Sequence, residues 1–172
     1  VRINVSDTVQ NVGRRGSDAD IAIGLRPPNS PKLTGILVAH DRNVLYGTPQ
    51  CLGDAGNPET PEGLVRCGFV GIADQDRYMA RLQNAGIPVT SHDFPVVAAN
   101  YSLHWEMTRS GLGLGTGPCW LGETDPALQP VLPGALIFED PVWLITHTDQ
   151  RNCPSVHMVQ EFLRVVLPDL LS

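Results

Sequence analysis

The chain has 172 residues, 42% of them hydrophobic, with 12 Lys and Arg against 18 Asp and Glu for a formal charge of −6. That length is enough to bury roughly two-thirds of the unfolded surface in one ordinary domain or two small lobes, without disulfide or metal staples. The acidic balance, with no basic cluster beyond Arg14-Arg15, repels a phosphate backbone and excludes this segment as a direct nucleic-acid binder.

The chain opens at Val1 without an initiator Met and already inside an alternating apolar run, so it reads as a fragment. Val1, Ile3 and Val5 predict a strand with one face buried. Asp7-Thr8-Val9-Gln10 has the form of a capping box, in which the Asp7 carboxylate accepts backbone N–H groups and Gln10 reaches back. A helix of two turns to Arg14 or Arg15 follows, stopped at Gly16. The apolar run Asp18 to Leu25 predicts an interior strand of a parallel sheet, which completes a βαβ unit. After Pro27-Pro28, Leu33 to Ala39 and Val44 to Tyr46 read as further strand, with a turn at Gly47-Thr48-Pro49. Residues 50 to 67, rich in Gly, Pro and acids, are expected to wrap the surface.

Cys67 to Ile72 predicts a second interior strand, Asp74 to Asn84 an exposed helix, and Phe94 to Ala99 a strand. Asn100 is placed to cap a helix carrying Leu103, Trp105 and Met107 to about Ser110. Gly111 to Gly115 is expected as strand, with Thr116-Gly117-Pro118 opening a turn or helix. Pro130 to Leu132 and Val142 to Thr146 are the last strands. A final helix from Pro154 to about Val166 carries Val156, Val159, Phe162, Leu163 and Val166 on one stripe and stops at Pro168. Strand and helix alternate throughout, which predicts an α/β fold with mainly parallel sheets and no internal repeat.

Catalytic and cofactor chemistry finds little support. The glycines from 111 to 117 miss the G-x-G-x-x-G register, because the sixth position is Thr116 from Gly111 and Pro118 from Gly113, and they follow a helix instead of opening one. Close helix-to-sheet packing is the plainer use for them. No G-x-S-x-G elbow surrounds Ser91, Ser102 or Ser110. His40, His92, His104, His147 and His157 stand singly, and Cys153 with His157 has no second ligand pair, so neither a metal nor any other cofactor is expected. Asp18 and Asp20 share a face without an evident partner. Cys51, Cys67, Cys119 and Cys153 form no C-x-x-C pair and read as reduced thiols. With no bilayer-spanning apolar run and no leader, a soluble cytoplasmic protein is expected.

Four stretches in order along the chain resemble the LysR-type family of bacterial transcription regulators. Asp18-Ala19-Asp20-Ile21-Ala22-Ile23-Gly24-Leu25-Arg26 is similar to its ADIAIR strand, and Val44-Leu45-Tyr46-Gly47-Thr48-Pro49 to its LVASP crossing. His104 to Gly115 is similar to its LVRAGLGIA stretch, and Trp143-Leu144-Ile145-Thr146-His147 with the helix from Pro154 to Phe162 to its LWLV-x-H and following helix. The arginine of the first stretch falls one place late, at Arg26, and Cys153 stands where a Ser or Thr caps the last helix.

The resemblance implies an α/β fold like type II periplasmic binding proteins: two Rossmann-like lobes joined by two crossing strands, 1–46 with 142–172 and 47–141, lacking the family's first strand and helix. It implies a small-molecule effector, a carboxylate or an aromatic, between the lobes and not a reaction. Ligands of open α/β sheets sit beyond C-terminal strand ends, where helix N-termini offer unpaired N–H groups. The residues matching that placement are Ser6, Asp7 and Thr8 from the first lobe and Asn100, Tyr101 and Thr116 from the second. Arg26 could pair an anion, whereas Asp7 would oppose one. The resemblance further implies self-association as a homodimer or homotetramer and contact with promoter DNA only through a winged helix-turn-helix outside this sequence. A periplasmic solute receptor of the same fold is the rival reading.

Overall fold

The computed structural model describes residues 19–132, 137–150 and 152–171. The strand and helix expected over residues 1–15 lie outside them. The chain divides into two compact units, residues 1–42 with 139–172 and residues 43–138. In chain order the elements are β1 (Ile21–Gly24), β2 (Leu33–Gly47), α1 (Pro49–Asp54), a 3-10 segment (Pro61–Cys67), β3 (Val70–Ile72), α2 (Gln75–Asn84), β4 (Val96–Ala98) and α3 (Tyr101–Arg109). There follow β5 (Gly115–Pro118), α4 (Cys119–Gly122), β6 (Gln129–Pro130), β7 (Ile137–His147) and α5 (Pro154–Leu171). β2 and β7 are the long strands, and each carries the chain from one unit into the other.

In the first unit, β1 pairs antiparallel with β7, Ile21 opposite Thr146 and Gly24 opposite Trp143. Toward β7, then, the strand is antiparallel, and Ile23 is 51% exposed; the parallel partner expected over Val1 to Val5 lies outside the described residues. An apolar run of this length reports a strand but not the direction of its neighbour. α5 buries Val156 and Gln160, and the Gln160 amide donates to the Thr146 hydroxyl at 3.4 Å, so two buried polar groups answer each other. Leu163 and Leu167 lie half-buried on the same face. Phe162, expected inside, is 63% exposed and stands with Met158 and Val165 on the opposite side of the helix. Apolar residues ring this helix, and a stripe read from sequence alone has no unique centre. Pro168 lies within the helix instead of ending it. Its missing N–H removes one bond near the end of the helix, where few turns remain to be lost.

In the second unit, the end of β2 pairs antiparallel with β5, from Asn43 opposite Pro118 to Tyr46 opposite Gly115, and with β6 at Tyr46 opposite Pro130. β3 and β4 run parallel, Val70 with Val96 and Ile72 with Ala98, and a parallel bridge joins Phe69 to Leu114. Among the described residues the named antiparallel pairings therefore outnumber the parallel one, contrary to the expected parallel sheets. The core gathers Leu45, Leu52, Leu64, Phe69, Leu82, Ile87 and Leu114. Leu52 and Leu64 belong to residues 50–67, expected to wrap the surface; α1 and the 3-10 segment, capped by the Thr48 and Thr60 hydroxyls, instead carry one buried leucine each. The stretches Leu33 to Ala39 and Val44 to Tyr46, read as strand, join in one continuous strand from Leu33 to Gly47. The strand after α3 begins at Gly115, not at Gly111.

Candidate functional site

α3 begins where β4 ends. Asn100 is extended, and its side-chain oxygen accepts the Leu103 N–H at 2.9 Å, the N-cap expected from the sequence. The other N–H groups of that first turn carry the positive end of the helix dipole. Tyr101, the first helical residue, is exposed, and Asn100 is half-buried. One turn further in, His104 is 1% exposed. Its Nε2 accepts the Thr116 backbone N–H at 3.1 Å, which leaves Nδ1 as the protonated nitrogen, 3.4 Å from the Gly71 carbonyl that it donates to. Burial holds the imidazole below its ordinary pKa, so it is neutral and ties α3 to both β3 and β5. His104 thus fixes the position of Thr116 against the start of α3.

Glycine makes this approach possible. A Cβ on Gly115 would meet the Thr108 hydroxyl and the His104 ring, and one on Gly117 would meet the Trp105 ring, so α3 lies on β5 only because both positions lack a side chain. The face α3 turns inward is His104, Trp105 and Thr108, whereas Leu103 is 41% exposed.

Tyr78 of α2 completes the group. Its ring meets Phe94 and His104 edge-on, at 6.0 and 5.6 Å between centroids. The hydroxyl is buried, comes close to Thr116 and Tyr101, and makes no hydrogen bond of acceptable geometry. Burial pushes its pKa up to about 12, so it is a neutral donor at any physiological pH. A buried hydroxyl without a partner is uncommon enough to require a reason.

The structure therefore brings Asn100, Tyr101 and Thr116 together in one unit and adds Tyr78 and His104. Arg26 is exposed in the other unit, and Ser6, Asp7 and Thr8 lie outside the described residues. Tyr78 carried no sequence signal, because a tyrosine in a mixed helix reads as ordinary packing. His104 lay within a motif but stood as a single histidine. Both His104 ring nitrogens are spent on Thr116 and Gly71, which leaves the Tyr78 and Thr116 hydroxyls as donors and no cation, so the cluster suits an acceptor-bearing ligand and offers no nucleophile paired with a base. Among the described residues no group of three or more His, Cys, Asp and Glu side chains is placed to hold a metal, and no helix is long and apolar enough to cross a membrane.

Residues 1–168 match the family model described as the LysR substrate binding domain. No curated protein matches the chain in sequence. Among solved structures, the regulatory domain of CrgA, a LysR-type transcriptional regulator from Neisseria meningitidis, aligns with a TM-score of 0.70 at 15% identity, over 89% of this chain and 76% of that one. The AmpR effector binding domain from Citrobacter freundii aligns with a TM-score of 0.68 at 14% identity, over 86% and 72%. ArgP from Mycobacterium tuberculosis aligns with a TM-score of 0.65 at 12% identity, over 86% of this chain and 51% of ArgP.

Proposed function

The chain belongs to the LysR substrate-binding domain family, and from that membership we propose that the N-terminus of α3, with Thr116 and the Tyr78 hydroxyl, is where its effector is recognised. The fold is the type II periplasmic-binding-protein-like α/β fold of that family, whose domains are the effector-binding parts of transcription regulators and not enzymes. The observation that carries the assignment is the unpartnered Tyr78 hydroxyl beside Thr116. Such a group is costly when buried alone and is satisfied when a ligand supplies an acceptor.

The ligand class that fits is a small organic acid. Its carboxylate would take the Tyr78 and Thr116 hydroxyls and lie at the positive end of the α3 dipole, which needs no cation to favour an anion. Tyr101 offers an aromatic wall beside it. Ser6, Asp7, Thr8 and Arg26 remain candidates for further contacts. Residues 1–42 with 139–172 and residues 43–138 are the two lobes in this reading. Effector binding shifts the population between arrangements of the paired domains, and so repositions DNA-binding segments outside this sequence in a cytoplasmic homodimer or homotetramer.

The test is thermal stabilisation by a panel of small mono- and dicarboxylates and aromatic acids, run on the parent, Asn100→Ala and Tyr101→Ala. A compound that raises the parent midpoint should lose its effect in both variants, although the lost cap itself costs only about 0.5 to 2 kcal/mol. Undiminished stabilisation of both variants would place the effector elsewhere.

A further inference from the structure

Cys51 on α1 and Cys67 at the end of the 3-10 segment lie 16 residues apart in sequence, yet the Cys51 Sγ sits 3.8 Å from the Cys67 carbonyl oxygen. Both side chains pack, half-buried, against the same core cluster. The Cys51 S–H turns to that carbonyl, and the two thiols lie near enough for each to influence the other's protonation. Two elements with their own caps hold them there, Thr48 on α1 and Thr60 on the 3-10 segment. A disulfide requires neighbouring sulfurs and Cα atoms within about 7 Å, and α1 and the 3-10 segment pack against each other with both cysteines on the same core cluster.

We propose that Cys51 and Cys67 are a dithiol that hydrogen peroxide closes to an intramolecular disulfide in the folded protein, tying α1 to the 3-10 segment. The Cys51 thiolate attacks the peroxide oxygen; the O–O bond breaks, leaving a sulfenic acid on Cys51 and releasing hydroxide. The Cys67 thiolate then attacks the Cys51 sulfur, forming S–S and expelling the sulfenic oxygen as a second hydroxide. The two protons lost from the thiols convert both hydroxides to water, so two thiols are oxidised by two electrons and one peroxide is reduced.

The bond would close the loop carrying Asn57, Pro58 and Glu59, which form one wall of a cavity of about 270 Å³ whose other wall includes Gln129, Pro130 and Leu132. Oxidation would thereby stiffen one side of that cavity. Burial pushes the Cys67 thiol up to about 11 and the Cys51 thiol up as well, so closure is slow at neutral pH and quickens as pH rises.

The experiment uses a Cys119→Ser, Cys153→Ser background. Cys153 in particular would compete for oxidant, because its hydrogen bonds with Ser155 and the backbone N–H of Val156 lower its pKa. Folded protein is treated with hydrogen peroxide at mildly alkaline pH, alkylated and mapped by mass spectrometry, beside a urea-unfolded sample. The expected result is a mass loss of about 2 Da, a Cys51–Cys67 linked peptide reversible by dithiothreitol, faster closure folded than unfolded, and a thermal midpoint a few degrees higher. Adding Cys51→Ser should abolish the linked peptide without lowering the midpoint of the reduced protein by more than a degree or two. Thiols that stay reduced, that proceed to sulfinic acid without linking, or that link only in urea would overturn the proposal.

Discussion

Tyr78→Phe separates a ligand-facing hydroxyl from a structural one, because the two readings predict opposite signs. The substitution keeps the ring, and with it the edge-on contacts to Phe94 and His104, and removes one oxygen. In the ligand-free protein that oxygen is buried and unpaired. Burying an unpaired hydroxyl costs on the order of 1 to 3 kcal/mol, so its removal should stabilise the protein by about 1 kcal/mol. For a chain of this size that is a rise of about 2 to 4 °C in Tm, measured by differential scanning calorimetry or circular dichroism without ligand. Toward an acid that stabilises the parent, the variant loses one hydrogen bond to a charged acceptor, worth about 1.5 to 3 kcal/mol. That weakens Kd at least about tenfold by isothermal titration. A more stable protein that binds its ligand less well is the expected pair of results. If Tyr78→Phe is less stable than the parent, the hydroxyl has a partner within the fold, Thr116 being the nearest, and the case for the site as drawn is lost.

The remaining predictions concern the scaffold that holds this site. His104 is kept neutral by burial, so its folded pKa lies below the ordinary value of 6.5. The unfolded chain therefore takes up the proton first, and the stabilisation, fully present above pH 6.5, drains away as pH falls below it. Urea midpoints should drop between pH 7.5 and pH 5.5 more steeply for the parent than for His104→Gln, and equal slopes would contradict the burial argument. Gly117→Ala drives a methyl into the Trp105 ring and should cost more than about 2 kcal/mol, whereas Gly53→Ala, in a helix with open space around it, should gain about 0.5 to 1 kcal/mol; chemical denaturation of both checks the α3–β5 contact. Phe162→Ala on the outer face of α5 should stay within about 1 kcal/mol of the parent, while Val156→Ala on the inner face costs about 2 kcal/mol, and the reverse order would turn the helix over.

Much of the architecture was legible because it rests on local rules. Asn100 lies between an apolar run and a helix-forming one, a position where a short polar side chain competes for the first N–H groups, and it caps α3 as expected. The glycines at 115 and 117 fail the spacing of a phosphate loop, which left close packing as their use, and a helix does pack on them. Residues 50–67 misled because Gly, Pro and acids are shared by surface loops and by short capped helices. A single leucine per turn, Leu52 or Leu64, is too sparse a pattern to show a buried face.

By itself the sequence determined most of the described strands and helices, though not α1 or the 3-10 segment, together with the family and the α3 cap, since each depends on neighbours within a few residues or on motifs strung along the chain. Tertiary structure alone decided that β1 runs antiparallel to β7 and that Phe162 faces outward while Gln160 faces in. It also decided that Tyr78 meets Thr116 and that Cys51 meets Cys67. These outcomes follow from contacts between residues far apart in the chain, where burial and partner choice depend on which surfaces meet, and a one-dimensional pattern carries periodicity but not the identity of the opposing face.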